Sequence, residues 1–213
     1  MADPEELYPE PVKRERGRPW ATTHAAIVEA AFDLFREVGF EATTMPMIAS
    51  RAGIGRATVF HYFSSKADIL WYSQADTTEE FRANLAAQPV QGDLADGAFA
   101  AYAAVWSGHA DEIAIGKEMV HTIETAPPET TGKWRAYETW SNLVHEYVMQ
   151  RTGLPATDTA ARAVAMAIWA AIWSAATEFA LGDSDTIDEH LSRARRAIAG
   201  ADARLGARGG VAI

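Results

Sequence analysis

The chain has 213 residues, of which 48% are hydrophobic and 23% charged, and a formal net charge of −10. Such a length holds a small and a medium domain with an ample core. The acidity argues against general coating of nucleic acid, and the absence of cysteine excludes disulfides, thiolate zinc sites and cysteine nucleophiles. No secretory pattern opens the chain, and no apolar run free of polar residues reaches the ~20 needed to span a membrane, so a cytoplasmic protein without a membrane partner is expected.

Charge is unevenly spread. Residues 13 to 70 carry eight Lys/Arg against six Asp/Glu, a net +2, whereas residues 71 to 213 carry eleven against nineteen, a net −8. Only the front third suits DNA. Residues 1 to 10 hold four acids and two prolines and are expected to be disordered. The stretch KRERGRPW, residues 13 to 20, has no helical period. Residues 1 to 20 therefore read as a flexible basic arm, in which Arg16 and Arg18 either enter a narrow minor groove or stay solvated.

From Thr44 to Lys66 the chain reads TMPMIASRAGIGRATVFHYFSSK. Thr44 is a good N-cap, and Pro46 lies where a missing N–H costs little. Met45, Ile48, Ala49 and Ala52 recur at helical spacing. Gly53 stops this helix, Ile54 tucks inward and Gly55 opens a second one, as in a helix-turn-helix. In the second helix Val59 and Phe63 point inward. The rest of its surface suits a DNA groove: Arg56 for guanine or phosphate, Ala57 for close backbone approach, Thr58 for base edges. Lys66 opposes the dipole of the helix it starts, which a phosphate partner would explain. Arg51 reads as a solvated charge.

The segment AGIGRATVFHYFSSKADIL resembles the recognition-helix signature of the TetR family of transcriptional regulators. The likeness extends upstream through Ile27, Ala30, Ala31, Leu34, Phe35 and VGFEATTMPMIASRAGI, about residues 22 to 71 in all. It implies DNA contacts at Thr44, Arg56, Ala57, Thr58, Phe60, His61, Tyr62 and Lys66. Gly55 stands where the family often has serine. Phe60 stands where a phosphate-contacting tyrosine is common, leaving it an apolar groove contact or a packing residue.

Beyond residue 66 the sequence predicts helices at about 66 to 87, 93 to 107, 109 to 125, 129 to 152, 157 to 181 and 185 to 203. With three in front, the expectation is an all-α protein of about nine helices: an arm (1–20), a helix-turn-helix domain (21–70) and an effector-binding and dimerisation domain (71–213). The helix bearing Trp71, Tyr72 and Phe81 would connect the two domains. Residues 160 to 181 are apolar around nearly their whole circumference, so one side is expected against a second subunit, paired with the amphipathic 185 to 203 segment.

The family resemblance implies a homodimer on a palindromic double-stranded operator, released when a small-molecule effector enters the C-terminal domain. Candidate effector-lining residues are Tyr102, Trp106, Met119, His121, Tyr137, Trp140, Met166, Trp169 and Trp173, with Glu118, His145 and Arg135 as further polar anchors. The segment EYVMQRTGLPATDTAARAVAMAIWAAIWSAATEF resembles TetR-family proteins related to the mycofactocin-system regulator, which implies acyl-CoA ligands. Lys117, Lys133, Arg135, Arg151 and Arg162 are then candidates for a CoA headgroup. No cofactor and no enzymatic role are expected. Glu118-x-x-His121 has diiron half-site spacing but no second copy in the sequence, Gly53-Ile54-Gly55 lacks a third glycine, and no catalytic triad context is recognisable. A DNA-binding dimer that answers to a protein partner, or to nothing, is the alternative, and a helical metal-binding enzyme is a remote one.

Overall fold

The computed structural model describes residues 20–72, 74–109, 113–183 and 186–199. Among them are eleven helices and no strand, so the fold is all-α with two more helices than the sequence reading of about nine. The chain divides into two units, Met1–Gln74 with Thr122–Thr131 and Ala75–His121 with Gly132–Ile213.

The first unit is built on α1 (Trp20–Val38), whose Ile27, Ala30, Ala31, Leu34 and Phe35 stripe is buried as its spacing predicts. Gly39 ends α1 at φ +86°, and Phe40 folds back to a ring distance of 4.9 Å from Phe35. Thr44 caps α2 (Met45–Arg51) by accepting from the Met47 N–H, and Met45, Ile48 and Ala49 are buried. Gly53, at φ +69°, turns the chain while the Ile54 N–H closes on the Ala49 carbonyl. There follow α3 (Arg56–Tyr62) and α4 (Lys66–Leu70), the latter capped by Ser65. Arg51 is not merely solvated: its guanidinium forks onto the Glu37 carboxylate at 2.9 and 2.5 Å, tying α2 to α1 and holding Glu37 below the usual carboxylate range.

The single helix predicted at 66 to 87 is two, α4 and α5 (Gln74–Ala86). Tyr72 N–H closes on the Ile69 carbonyl and Gln74 N–H on that of Trp71, tight three-residue turns that end α4. The Trp71 indole N–H donates to the Thr131 carbonyl, fixing this bend from a partner 60 residues away. After α6 (Leu94–Gly108) and α7 (Ile113–Thr125), the predicted 129 to 152 helix is also split. Gly132 at φ +73° separates α8 (Pro128–Thr131) from α9 (Lys133–Thr152). Then come α10 (Thr159–Leu181) and α11 (Asp188–Ala197), shorter than the predicted 185 to 203, whose end lies outside the described residues.

The second unit buries Phe81 and Leu85 of α5, Phe99, Tyr102 and Val105 of α6, Val144 and Val148 of α9, and the inner face of α10 in one core. Helix α10 is long and apolar enough to cross a membrane by length and composition, but half of it is buried in the chain. Its inner face is Val164, Ala165, Ile168, Trp169, Ile172, Ala176 and Phe179. Gly97 and Gly116 allow close helix approach, since a Cβ at either would press on the Tyr147 hydroxyl or the Trp106 ring. Helix α11 is held by Arg195 to Asp93 (2.6 Å) and Asp96 (2.7 Å) of the α6 start, and by His190 and Arg193 to Glu178. Burial holds the His145 imidazole below its usual value near 6.5, helped by the Arg162 charge and opposed by Glu146. Unfolding restores the ordinary value, so the unfolded chain binds more protons and stability falls as pH drops below about 6.5 toward the folded value. A His145→Gln variant is expected to flatten that part of the stability-against-pH curve, measured by urea unfolding from pH 5 to 8.

Candidate nucleic-acid interface

Helix α3 presents most of its surface to solvent. Val59 alone among Arg56–Tyr62 is buried, anchoring the helix, while Arg56, Ala57, Thr58, Phe60 and His61 are exposed. Phe60 is 51% exposed, which answers the packing alternative: the ring is not absorbed into the core. Thr44, at the start of α2, is also exposed, although its hydroxyl is occupied as the cap. Tyr62 is half-buried edge-on to His24 of α1, with ring centroids 4.6 Å apart. His24 also stacks on Tyr72 at 5.2 Å and meets Phe63 at 5.6 Å. The sequence reading gave His24 no role, because no local signal ties a residue in α1 to the end of α3. Arg16 and Arg18, with the rest of the arm, lie outside the described residues.

Lys66 departs from the expectation of a phosphate contact. Its ammonium donates to the carbonyls of Phe40 (2.5 Å), Glu41 (3.1 Å) and Thr43 (3.2 Å), and sits 4.5 Å from the Phe40 ring centroid. All three donors of the ammonium are thus engaged within the unit. Partial burial lowers its affinity for a proton, with Glu41 acting the other way. The cation at a helix start is explained by the carbonyl-rich segment between α1 and α2, which it ties down. Lys66→Met is therefore expected to cost about 1.5–3 kcal/mol of stability, the worth of hydrogen bonds to a charged group. The slope of DNA affinity against salt should stay at the parent value, and a slope smaller by about one would restore the phosphate contact.

The second unit gathers five of the nine predicted effector residues. Tyr102, Tyr137, Trp140, Trp169 and Trp173 form one ring cluster with Phe81, with centroids 5.1–6.4 Å apart. Trp140 stacks on Phe81 at 19° and on Trp169 at 27°, while Phe81 and Trp169 are tilted 42° to each other. Burial pushes the Tyr102 phenol up to about 12, with the Trp106 side chain acting the other way. Trp106 reaches this group through the Tyr102 hydroxyl, while its own ring lies edge-on to Phe179 at 5.1 Å. Met166 and His121 are exposed and Met119 is half-buried, with none of the three in the ring cluster. Of the proposed headgroup cations, Lys117 donates to the Gly182 carbonyl and Arg151 to the Tyr147 hydroxyl, Lys133 lies over the Trp134 ring, and Arg135 and Arg162 are exposed. Among the described residues no three His, Asp or Glu side chains converge to hold a metal ion.

Comparison with known proteins matches residues 27–71 to the family model described as bacterial regulatory proteins, tetR family, and residues 93–202 to the MftR C-terminal domain. The chain is 26% identical over 84% of its length to the protein named as the mycofactocin biosynthesis transcriptional regulator MftR of Mycobacterium tuberculosis, covering 90% of that protein. It is 40% identical to the HTH-type transcriptional regulator YdeS of Bacillus subtilis over 70 residues, 32% of this chain and about a third (35%) of that protein. In fold it is similar to the fatty acid degradation regulator FadR from Bacillus halodurans, with TM-score 0.62, 16% identity and 88% and 97% of the two chains covered. A TetR-like transcriptional regulator from Rhodococcus sp. RHA1 gives TM-score 0.55 at 20% identity, covering 86% and 100%. With the front segment matching the family's DNA-binding domain and more than half the chain its MftR-type C-terminal domain, this chain belongs to the TetR family of bacterial transcriptional regulators.

Proposed function

We propose that this regulator is a cytoplasmic homodimeric repressor that holds a palindromic operator through α3 and lets go when an apolar or amphipathic effector enters its second unit. The observation that carries the DNA contact is the exposed set Arg56, Ala57, Thr58, Phe60 and His61 on a helix anchored by the buried Val59. Dimerisation is supported by the outer face of α10, where Ala163, Met166, Ala170, Ser174 and Leu181 are exposed on an otherwise apolar helix. An apolar face of this size favours cover by a second copy. The effector reading is supported by the aromatic cluster, whose Tyr137, Trp140 and Trp173 are only partly buried. An acyl-CoA is one candidate effector, with Arg135 and Arg162 to meet its phosphates.

Release requires the effector to bind the state with wrongly spaced recognition helices more tightly than the DNA-bound state. The test begins with operator selection from random DNA. The tryptophans are then titrated with fatty acyl-CoAs, free fatty acids and aromatic compounds, and each hit is assayed for release of the selected DNA. A saturable hit that releases DNA is the expected result; tight DNA binding with silence across the panel would leave a regulator that answers to another signal. Thr58→Ala is expected to relax preference at one position of each half-site at a cost of about 1–3 kcal/mol, read by repeating the selection.

A further inference from the structure

We infer that the effector, on the reading of the second unit given above, is a molecule with an apolar body and an uncharged carbonyl-type acceptor, and that Trp169 is the residue that selects it. Trp169 is 1% exposed, yet its indole Nε1–H has no hydrogen-bond partner. A buried donor without an acceptor is uncommon and asks for a reason. This one lies in the centre of the ring cluster, with Trp140 at 5.4 Å, Trp173 at 6.0 Å, Tyr137 at 6.0 Å and Phe81 at 6.3 Å. A second orphan belongs to the same region: the buried Thr78 Oγ1, three residues before Phe81 and so on the same face of α5. His145 Nε2 and Arg151 Nε are the other buried side-chain atoms without a partner among the described residues, and of the four only Trp169 Nε1 is carried by a ring of the cluster.

The surroundings fix the chemistry of that atom. Helix α10 has no charged side chain between Arg162 and Glu178, so Trp169 is seven and nine residues from the nearest charges on its own helix, about 10 Å or more along the axis. A carboxylate there would find no cation on α10 within that distance, and burying it unpaired costs far more than one hydrogen bond returns. A neutral carbonyl has no such cost and matches a donor-only indole. The ring faces favour an apolar body beside it, and the partly buried Tyr137 and Trp173, leading outward to the 65%-exposed Trp134, are the side chains that would yield on entry. A thioester in an acyl chain and a ketone in a flat ring system both carry this chemistry.

The test uses two matched pairs, 9-fluorenone with fluorene and dodecanoyl-CoA with its thioether dodecyl-CoA, titrated calorimetrically into the full-length protein. In at least one pair the carbonyl member should bind about five- to tenfold more tightly than its twin, and Trp169→Phe, which keeps a ring but loses the N–H, should bring the two within twofold. The pair that discriminates names the source of the carbonyl. Should the variant fold poorly, the carbonyl stretch of bound fluorenone or of the bound thioester in the parent supplies the same answer, moving to lower wavenumber than in hexane if the bond forms. Equal binding within both pairs, a preference that survives Trp169→Phe, or an unshifted stretch overturns the donor role while the effector reading stands. Binding by none of the four probes removes the effector reading for these chemistries, and the inference with it.

Discussion

An Arg56→Ala protein is expected to lose its operator almost entirely at physiological salt. Arg56 opens α3, exposed at the end of the helix from which side chains reach base edges or the flanking phosphates. A bidentate guanine contact is worth about 1–3 kcal/mol. In a two-fold dimer the substitution acts twice, so about 2–6 kcal/mol is lost, a weakening of about thirty-fold at the least. The salt dependence separates the two roles open to the guanidinium. A base contact leaves the slope nearly unchanged and relaxes the preferred sequence at one position per half-site. A phosphate contact lowers the slope by roughly one per recognition helix and weakens all sequences alike. Operator affinity equal to the parent's would remove Arg56 from the interface and leave the exposed face of α3 without its strongest cation.

The contrast between Arg56 and Lys66 shows what local sequence can carry. Thr44, Pro46, Gly53 and Gly55 each act within four residues, so the cap, the turn and the two short helices were readable without a structure. The carbonyl contacts of Lys66 are not legible locally because its three acceptors lie 23–26 residues upstream, and nothing near it in sequence says that a carbonyl-rich turn waits there. The same distance hid the Arg51–Glu37 pair, 14 residues apart, and the bend at Trp71. The split at Gly132 is different: a glycine followed by a helix-forming run was legible, but the hydrophobic spacing on either side masked it. In the second unit, composition flagged aromatics in abundance without saying which would meet. Helical phase does not make the distinction: Met166, Trp169 and Trp173 stand at i, i+3 and i+7 on one face of α10, yet the two tryptophans enter the ring cluster while Met166 is 49% exposed. It gives no access to the unpartnered Trp169 N–H, which depends on what α5, α6 and α9 bring or fail to bring beside it.

Phe81→Ala should cost the second unit about 3–5 kcal/mol, the range for deleting a fully buried aromatic side chain, since Phe81 is wholly inaccessible and joins α5 to three other helices. Its ring stacks on Trp140 at 5.1 Å and meets Tyr102 edge-on at 5.9 Å, so the lost ring contacts add to the lost burial. In a chain of this length the melting temperature should fall by roughly 6–20 °C at matched protein concentration. The hole would be walled by Tyr102, Trp140 and Trp169, too apolar to hold water well and the right shape for a small ring. Benzene should therefore raise the melting temperature of Phe81→Ala more than that of the parent. A loss below about 1 kcal/mol would mean that neighbouring rings collapse into the space, and a cluster able to do so has slack enough to admit a ligand without any substitution.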